Sequence, residues 1–358
     1  MPDYEYGNAR LRVMKSRLLS RRTLNDLAET GSIQGMIAAL TKTAYQKSIE
    51  SALTRFIGMN CIDEALHADL IATIGAIGKF YHEETGKLIA LVLRSYDIEN
   101  LKTILRGLSR NVPSGEIIPL LLPIGELKIN TLRELARLNN TREAIDLIAS
   151  QSLPFASPLL KLRAERPGAE TFEMELALDQ WHFDGGQQTL RSQAGEDALL
   201  NLAFALDADL ANVMTALRFA HAPRDREILR ERLRTEDPKS FFIKAGRIPF
   251  EALASAARQD AVSPAVEALA GTSFGPALRA GFELYSRSNR LSDIEKRLKK
   301  FRLMQLAQMI DKDPLGIGVP LGYIALKVNE IGNIRWIAHG LELELKPDAI
   351  QAEVETLP

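Results

Sequence analysis

The chain has 358 residues, 46% hydrophobic, 25% charged and 6% aromatic, a balance that suits packed domains and excludes a disordered or fibrous chain. Its 45 Lys and Arg stand against 46 Asp and Glu, so a net charge of −1 supplies no global field to gather the chain onto nucleic acid or an anionic membrane. A single cysteine, Cys61, can close no intramolecular disulfide and build no thiolate metal cage.

In chain order, the polar opening lacks the basic and apolar regions of a secretory signal, which predicts a cytoplasmic location. Residues 1–22 then carry Arg10, Arg12, Lys15, Arg17, Arg21 and Arg22 against Asp3 and Glu5, a local excess of +4. A solvated helix face accounts for it; docking is the alternative, with Asn8, Arg10 and Arg12 as candidate docking residues. Cys61 follows the run Phe56-Ile57-Gly58-Met59-Asn60 and is expected to be a buried, inert thiol. Residues 85–106 predict a helix capped at Thr85, with an apolar stripe of Leu88, Ile89, Val92, Leu93 and Tyr96 and a stop at Gly107. Similar stops fall at His221-Ala222-Pro223 and Gly340, and sustained two-residue alternation is scarce, so the fold class is all-α.

Reactive constellations are missing from the pattern. The five histidines are scattered, and no His-Glu-x-x-His, Cys-x-x-Cys, serine elbow or phosphate loop occurs; no catalytic residue, cofactor or metal is expected. Glu175, Asp179, His182 and Asp184 are the one acidic and imidazole cluster; next to Gly185-Gly186 they read as a surface helix end, with a helical enzyme around His182 as the alternative. Residues 224–234 mix signs at helical spacing and predict an exposed helix laced with ion pairs. Gly316, Gly318 and Gly322 follow no strand, so they predict a turn into a helix that has Pro320 at its first position. The longest uncharged run, residues 314–326, is 13 residues and too short to cross a bilayer. Residues 341–358 carry a local charge of −4.

Internal repetition organises the rest. Asp97-x-x-Asn100-x-x-x-x-Leu105-Arg106 recurs as Asp209-x-x-Asn212-x-x-x-x-Leu217-Arg218 and as Glu330-x-x-Asn333-x-x-x-x-Ala338-His339. The second and third copies lie 121 residues apart, and Gly125, Leu132 and Ala136 keep that offset to Gly246, Leu253 and Ala257. The first copy stands 112 residues before the second, and Leu24, Leu27 and Ala28 precede Leu132, Leu135 and Ala136 by 108. Three homologous helical-bundle modules follow, residues 1–112, 113–234 and 235–358, and three similar bundles suggest pseudo-threefold geometry. The Asp/Glu and Asn of each copy share one helix face and are read as a structural polar pair where helices cross. Arg94 and Lys327 stand three residues before their carboxylates and are candidate partners; Leu206 holds that place in the second copy.

The opening Tyr6-Gly7-Asn8-Ala9-Arg10-Leu11-Arg12-Val13-Met14-Lys15, together with Asp97-Ile98-Glu99-Asn100-Leu101-Lys102-Thr103-Ile104-Leu105-Arg106-Gly107, resembles the central-stalk C-subunit family of V/A-type rotary ATPases and ATP synthases, relatives of the eukaryotic d subunit. The segment Lys327-Val328-Asn329-Glu330-Ile331-Gly332-Asn333-Ile334-Arg335 is similar to that family's last module, so the resemblance covers nearly the whole chain. It implies a funnel of three bundles with a central hollow, peripheral to the membrane on its cytoplasmic side. The implied partners are the proteolipid ring and the central shaft, with the soluble part of the stator as a further one; nucleic acid and bilayer insertion are not among them. The implied role is non-catalytic coupling, and a free-standing helical scaffold is the other alternative.

Overall fold

The computed structural model describes residues 3–192, 198–224, 226–228, 238–355 and 357, and among them helices and turns are present without a strand. The chain forms two compact units, Met1–Ala144 with Leu306–Pro358, and Ile145–Gln305.

The first unit holds α1 (Glu5–Lys15), α2 (Arg21–Ala28), α3 (Ile33–Leu40), α4 (Gln46–Leu53), α5 (Gly58–Ile77), α6 (Glu83–Ser109), α7 (Ser114–Ile117) and α8 (Ile129–Ala136). Its boundaries to the second unit fall within α9 (Thr141–Ser150) and a later helix, and it resumes at Leu306. Helices α2 and α3 start on side-chain caps: the Ser20 hydroxyl accepts from the Thr23 N–H at 3.1 Å, and Ser32 accepts from Gly35 at 3.1 Å. Leu24, Leu27 and Ala28 then fall on one face of α2 and pack with Met36, Cys61, Ile62, Leu66, Ile334, Ile337 and Ile350 in one core. Each such large side chain contributes about 1.5–3 kcal/mol through burial.

Helix α6 starts at Glu83 and runs to Ser109, longer at both ends than the spacing predicts. The Thr85 hydroxyl donates to the His82 carbonyl at 2.7 Å instead of capping the start. Gly107 lies inside the helix because a Cβ there would come within 2.4 Å of Ile117 Cδ1: the glycine permits a close approach and does not stop the helix.

The second unit contains α10 (Ala156–Glu165), α11 (Thr171–Ser192), α12 (Ala198–His221), α13 (Phe250–Ala257), α14 (Val262–Ala268), α15 (Gly275–Ser288) and α16 (Leu291–Ala307), the last running past the unit's boundary at Gln305. Helix α12 packs against α11, α13 and α14. It ends at His221, where the sequence places a stop. Among the described residues it is long and apolar enough to cross a membrane, yet 56% of its most apolar window is buried inside the fold, and its buried face carries Asp209 and Asn212, as a core helix does.

Two sequence expectations are corrected here. Helix α11 runs unbroken through Gly185-Gly186, so the helix end expected there is absent; at Gly186 a Cβ would stand 3.1 Å from the Phe204 ring, and the glycine serves that contact. The mixed-sign segment 224–234 lies partly outside the described residues, but Arg226 is buried rather than exposed. Its guanidinium donates to the carbonyls of Ala257 at 2.8 Å and Gln259 at 3.0 Å and to Asp260 Oδ1 at 2.8 Å, satisfying carbonyls that the end of α13 leaves open.

The remaining helices of the first unit are α17 (Met309–Lys312), α18 (Gly318–Glu342) and α19 (Pro347–Glu353). Helix α18 packs on α1, α2, α3, α5 and α19 and is the unit's central element. It begins at Gly318, two residues before Pro320, where a Cβ would meet the Met309 carbonyl oxygen at 2.2 Å. It continues past Gly340, which faces Ile350 of α19 at 2.7 Å from an added Cβ.

Candidate functional site

The polar pairs of the three repeats are buried, and each takes hold of backbone distant along the chain. Asp97, buried on α6, accepts from the N–H of Glu126 through Oδ2 at 2.8 Å and from Leu127 through Oδ1 at 3.0 Å. Three residues on, the Asn100 amide donates to the Leu122 carbonyl at 2.7 Å and accepts from the Leu122 N–H at 2.7 Å. The second copy repeats this on α12: Asp209 accepts from Arg247 at 3.1 Å and Ile248 at 3.0 Å, and Asn212 holds the N–H of Ile243 at 2.7 Å and its carbonyl at 2.8 Å. We call each such arrangement a clasp: a carboxylate on two successive amides and an asparagine pairing both backbone groups of one residue.

The third clasp, on α18, is built differently. Glu330 accepts from the Leu19 N–H and, through Oε1, from the Tyr45 hydroxyl at 2.6 Å. Leu19 is the residue that the 108-residue offset aligns with Leu127, so the last repeat grips the first as the first grips the second. Asn333 pairs the N–H of Glu355 at 3.0 Å and its carbonyl at 2.6 Å, and Asn329 donates to the same carbonyl at 2.7 Å.

Burial pushes the Asp97 carboxyl up to about 6, against the two amide donors that favour its charged form. Asp209 shifts upward for the same reason. Lys327 lies between Asp69 Oδ2 at 2.8 Å and Glu330 Oε1 at 3.1 Å, with the Tyr45 hydroxyl at 2.8 Å. Burial, and then the neighbouring Glu330, hold the Tyr45 hydroxyl well above its usual range. Of the two expected basic partners, Lys327 therefore meets its carboxylate, whereas Arg94 reaches Glu126 at 3.5 Å. Arg106 and Arg218, which end the motif, point outward; Arg218 stands 3.9 Å from Glu295.

The candidate docking residues separate by burial. Asn8 is buried, its amide donating to the carbonyls of Leu315 and Gly316 at 2.9 Å each and accepting from the Tyr81 hydroxyl at 2.7 Å. Arg10 and Arg12 are exposed. Arg10 donates to the Tyr6 hydroxyl at 2.7 Å and lies 4.6 Å over the Phe80 ring, while Arg12 donates to the Pro314 carbonyl. Glu175, Asp179, His182 and Asp184 all lie on α11, where His182 is buried with its ring 5.1 Å from Phe183 and 5.4 Å from Phe204.

Sequence reasoning located the six clasp residues but not what they hold. Gly125 and Gly246 carried the missing signal: a Cβ at Gly125 would stand 2.1 Å from Asp97 Oδ2, and at Gly246 2.2 Å from Asp209 Oδ1. Their own 121-residue spacing, that of the second and third motif copies, marks the backbone that the carboxylates approach. Tyr45, Asp69 and Glu355 gave no sequence signal.

The family described as ATP synthase (C/AC39) subunit matches residues 7–353. A protein of Pyrococcus abyssi, named as the C subunit of an A-type ATP synthase, is 24% identical over 99% of this chain and 90% of its own length. Proteins of the same name from Methanocaldococcus jannaschii, 23% identical over 98% of this chain and 86% of theirs, and from Halobacterium salinarum, 25% identical over 99% and 98%, are similar along the same span.

Proposed function

The chain belongs to the ATP synthase (C/AC39) subunit family, and from that premise we propose that it is a non-catalytic rotor part coupling a membrane proteolipid ring to the central shaft of an A-type rotary machine. It would sit at the membrane periphery on the cytoplasmic side and pass torque in either direction, for ATP-driven ion transport or ion-driven synthesis. Three modules, residues 1–112, 113–234 and 235–358, would form the pseudo-threefold funnel into which a shaft fits.

The observation that carries this reading is the serial clasp. Residues that a hydrolase would commit to acid–base chemistry are here buried and paired with backbone amides of the next repeat. Such pairs fix one repeat relative to the following segment, and a part that transmits torque needs that stiffness. The same logic accounts for Glu330 on the Leu19 amide, which ties the third repeat to the first.

Co-purification tests the proposal. The tagged full chain, recovered from gently solubilised membranes of its own source, is expected to bring down the proteolipid and shaft proteins in fixed ratio. Recovery of the folded chain without either of them overturns the reading.

A further inference from the structure

Helix α1 buries Gly7, Asn8 and Leu11. Tyr6, Arg10 and Val13, spaced four and three apart, form a stripe on the opposite side and face outward. Tyr6 is 58% and Val13 54% exposed; Leu315, whose carbonyl is held by the Asn8 amide, is 76% exposed.

The charges around these apolar side chains are predominantly basic, a local excess of +4 over residues 1–22. Arg10, Arg12, Lys15, Arg17, Arg21 and Arg22 all reach solvent, and none pairs with a carboxylate among the described residues. Arg10 is also fixed in place, hydrogen-bonded to the Tyr6 hydroxyl and lying over both the Tyr6 and Phe80 rings at 5.6 and 4.6 Å. A guanidinium held by aromatic groups keeps its remaining donors directed outward and loses little freedom on meeting an anion.

We propose that this face, α1 with residues 16–22 and Leu315, rests on an anionic phospholipid surface, the cations at the phosphate level and Tyr6, Val13 and Leu315 at the headgroup boundary. Unneutralised cations near an outward Tyr and exposed aliphatic side chains are the composition of an interfacial segment, and the charge is complementary to an anionic leaflet. The proposal rests on the reading of the chain as part of a membrane-bound complex, and it names a contact that needs neither ring nor shaft.

The test uses the purified full chain and vesicles, with no partner protein present. At low ionic strength the chain is expected to sediment with vesicles of phosphatidylcholine containing one-third phosphatidylglycerol, to stay in the supernatant when the vesicles are pure phosphatidylcholine, and to be released by salt. Arg10→Glu with Arg12→Glu and Arg17→Glu should lower partitioning about tenfold or more. A second variant, Lys15→Glu with Arg17→Glu and Arg22→Glu, leaves the Arg10 and Arg12 contacts intact and should show the same direction. Absence of binding to the anionic vesicles, or unchanged binding by a charge-reversed variant of normal melting, overturns the proposal. If vesicles are ignored while charge reversal prevents recovery of ring and shaft, the face docks an acidic protein surface, which removes the lipid contact and leaves the rotor reading standing. Vesicle binding together with failed co-purification has the converse meaning.

Discussion

At Gly125 and Gly246 the backbone passes so close to a buried carboxylate that no side chain fits between them. The third clasp shows how the constraint can be met another way. The counterpart of Gly125 at the 108-residue offset is Arg17, and there the acid is Glu330, one methylene longer than Asp97. A longer side chain reaches the Leu19 amide across the greater separation that a residue with a Cβ requires. Glycine with Asp and a larger residue with Glu are thus coupled choices. Gly125→Ala should push the Asp97 carboxylate off the amides of Glu126 and Leu127 and destabilise the protein by about 2–4 kcal/mol, the sum of overpacking and two unpaired donors. Gly115→Ala, where no atom lies within 4 Å of the added carbon, should stay within about 0.5 kcal/mol. Denaturant midpoints measure both, and equal midpoints for the two variants would show that the close approach has no energetic weight.

Helix α18 buries two opposite charges one turn apart. It contributes Lys327, Glu330 and Asn333, and α5 brings Asp69 to meet them. One ammonium is shared by two carboxylates, so its removal leaves charges in the core with no counterion. Lys327→Met is expected to cost about 3–5 kcal/mol at neutral pH. With the cation gone, Asp69 and Glu330 face each other across the site without a counterion. Denaturant melts at neutral pH check the size, and a variant with the wild-type midpoint would refute the shared-cation arrangement. How far this element could be read in advance follows from distance along the chain. Lys327 and Glu330 are one helical turn apart and their pairing was visible in the spacing, whereas Tyr45 and Asp69 arrive from helices whose packing no local pattern encodes. Helix boundaries failed for a related reason: Gly107, Gly186 and Gly340 look like stops, and only the packed neighbours Ile117, Phe204 and Ile350 reveal them as contact points.

For the whole molecule, the repeat was legible because three clasps impose the same residue types at the same spacing, and the all-α class because the apolar period is helical throughout. The division into two compact units was not legible, since it depends on what each clasp grips. Asn100 and Asp97 hold residues 122–127, so the start of the second repeat belongs with the first unit. Glu330 and Asn333 likewise hold Leu19 and Glu355 to one helix, α18. If the clasps are local locks of a common design, each asparagine should govern the amide it pairs with and little else. Asn333→Leu should lower stability by about 1–3 kcal/mol and strip the Glu355 amide of its protection against hydrogen exchange, while the Leu19 amide, bonded to Glu330, stays protected. Asn100→Leu should cause a loss of similar size but expose the Leu122 amide instead, leaving Glu355 unaffected. Exchange measured at these three amides separates a chain of independent locks from a single cooperative core, because in the latter case both variants would accelerate all three together.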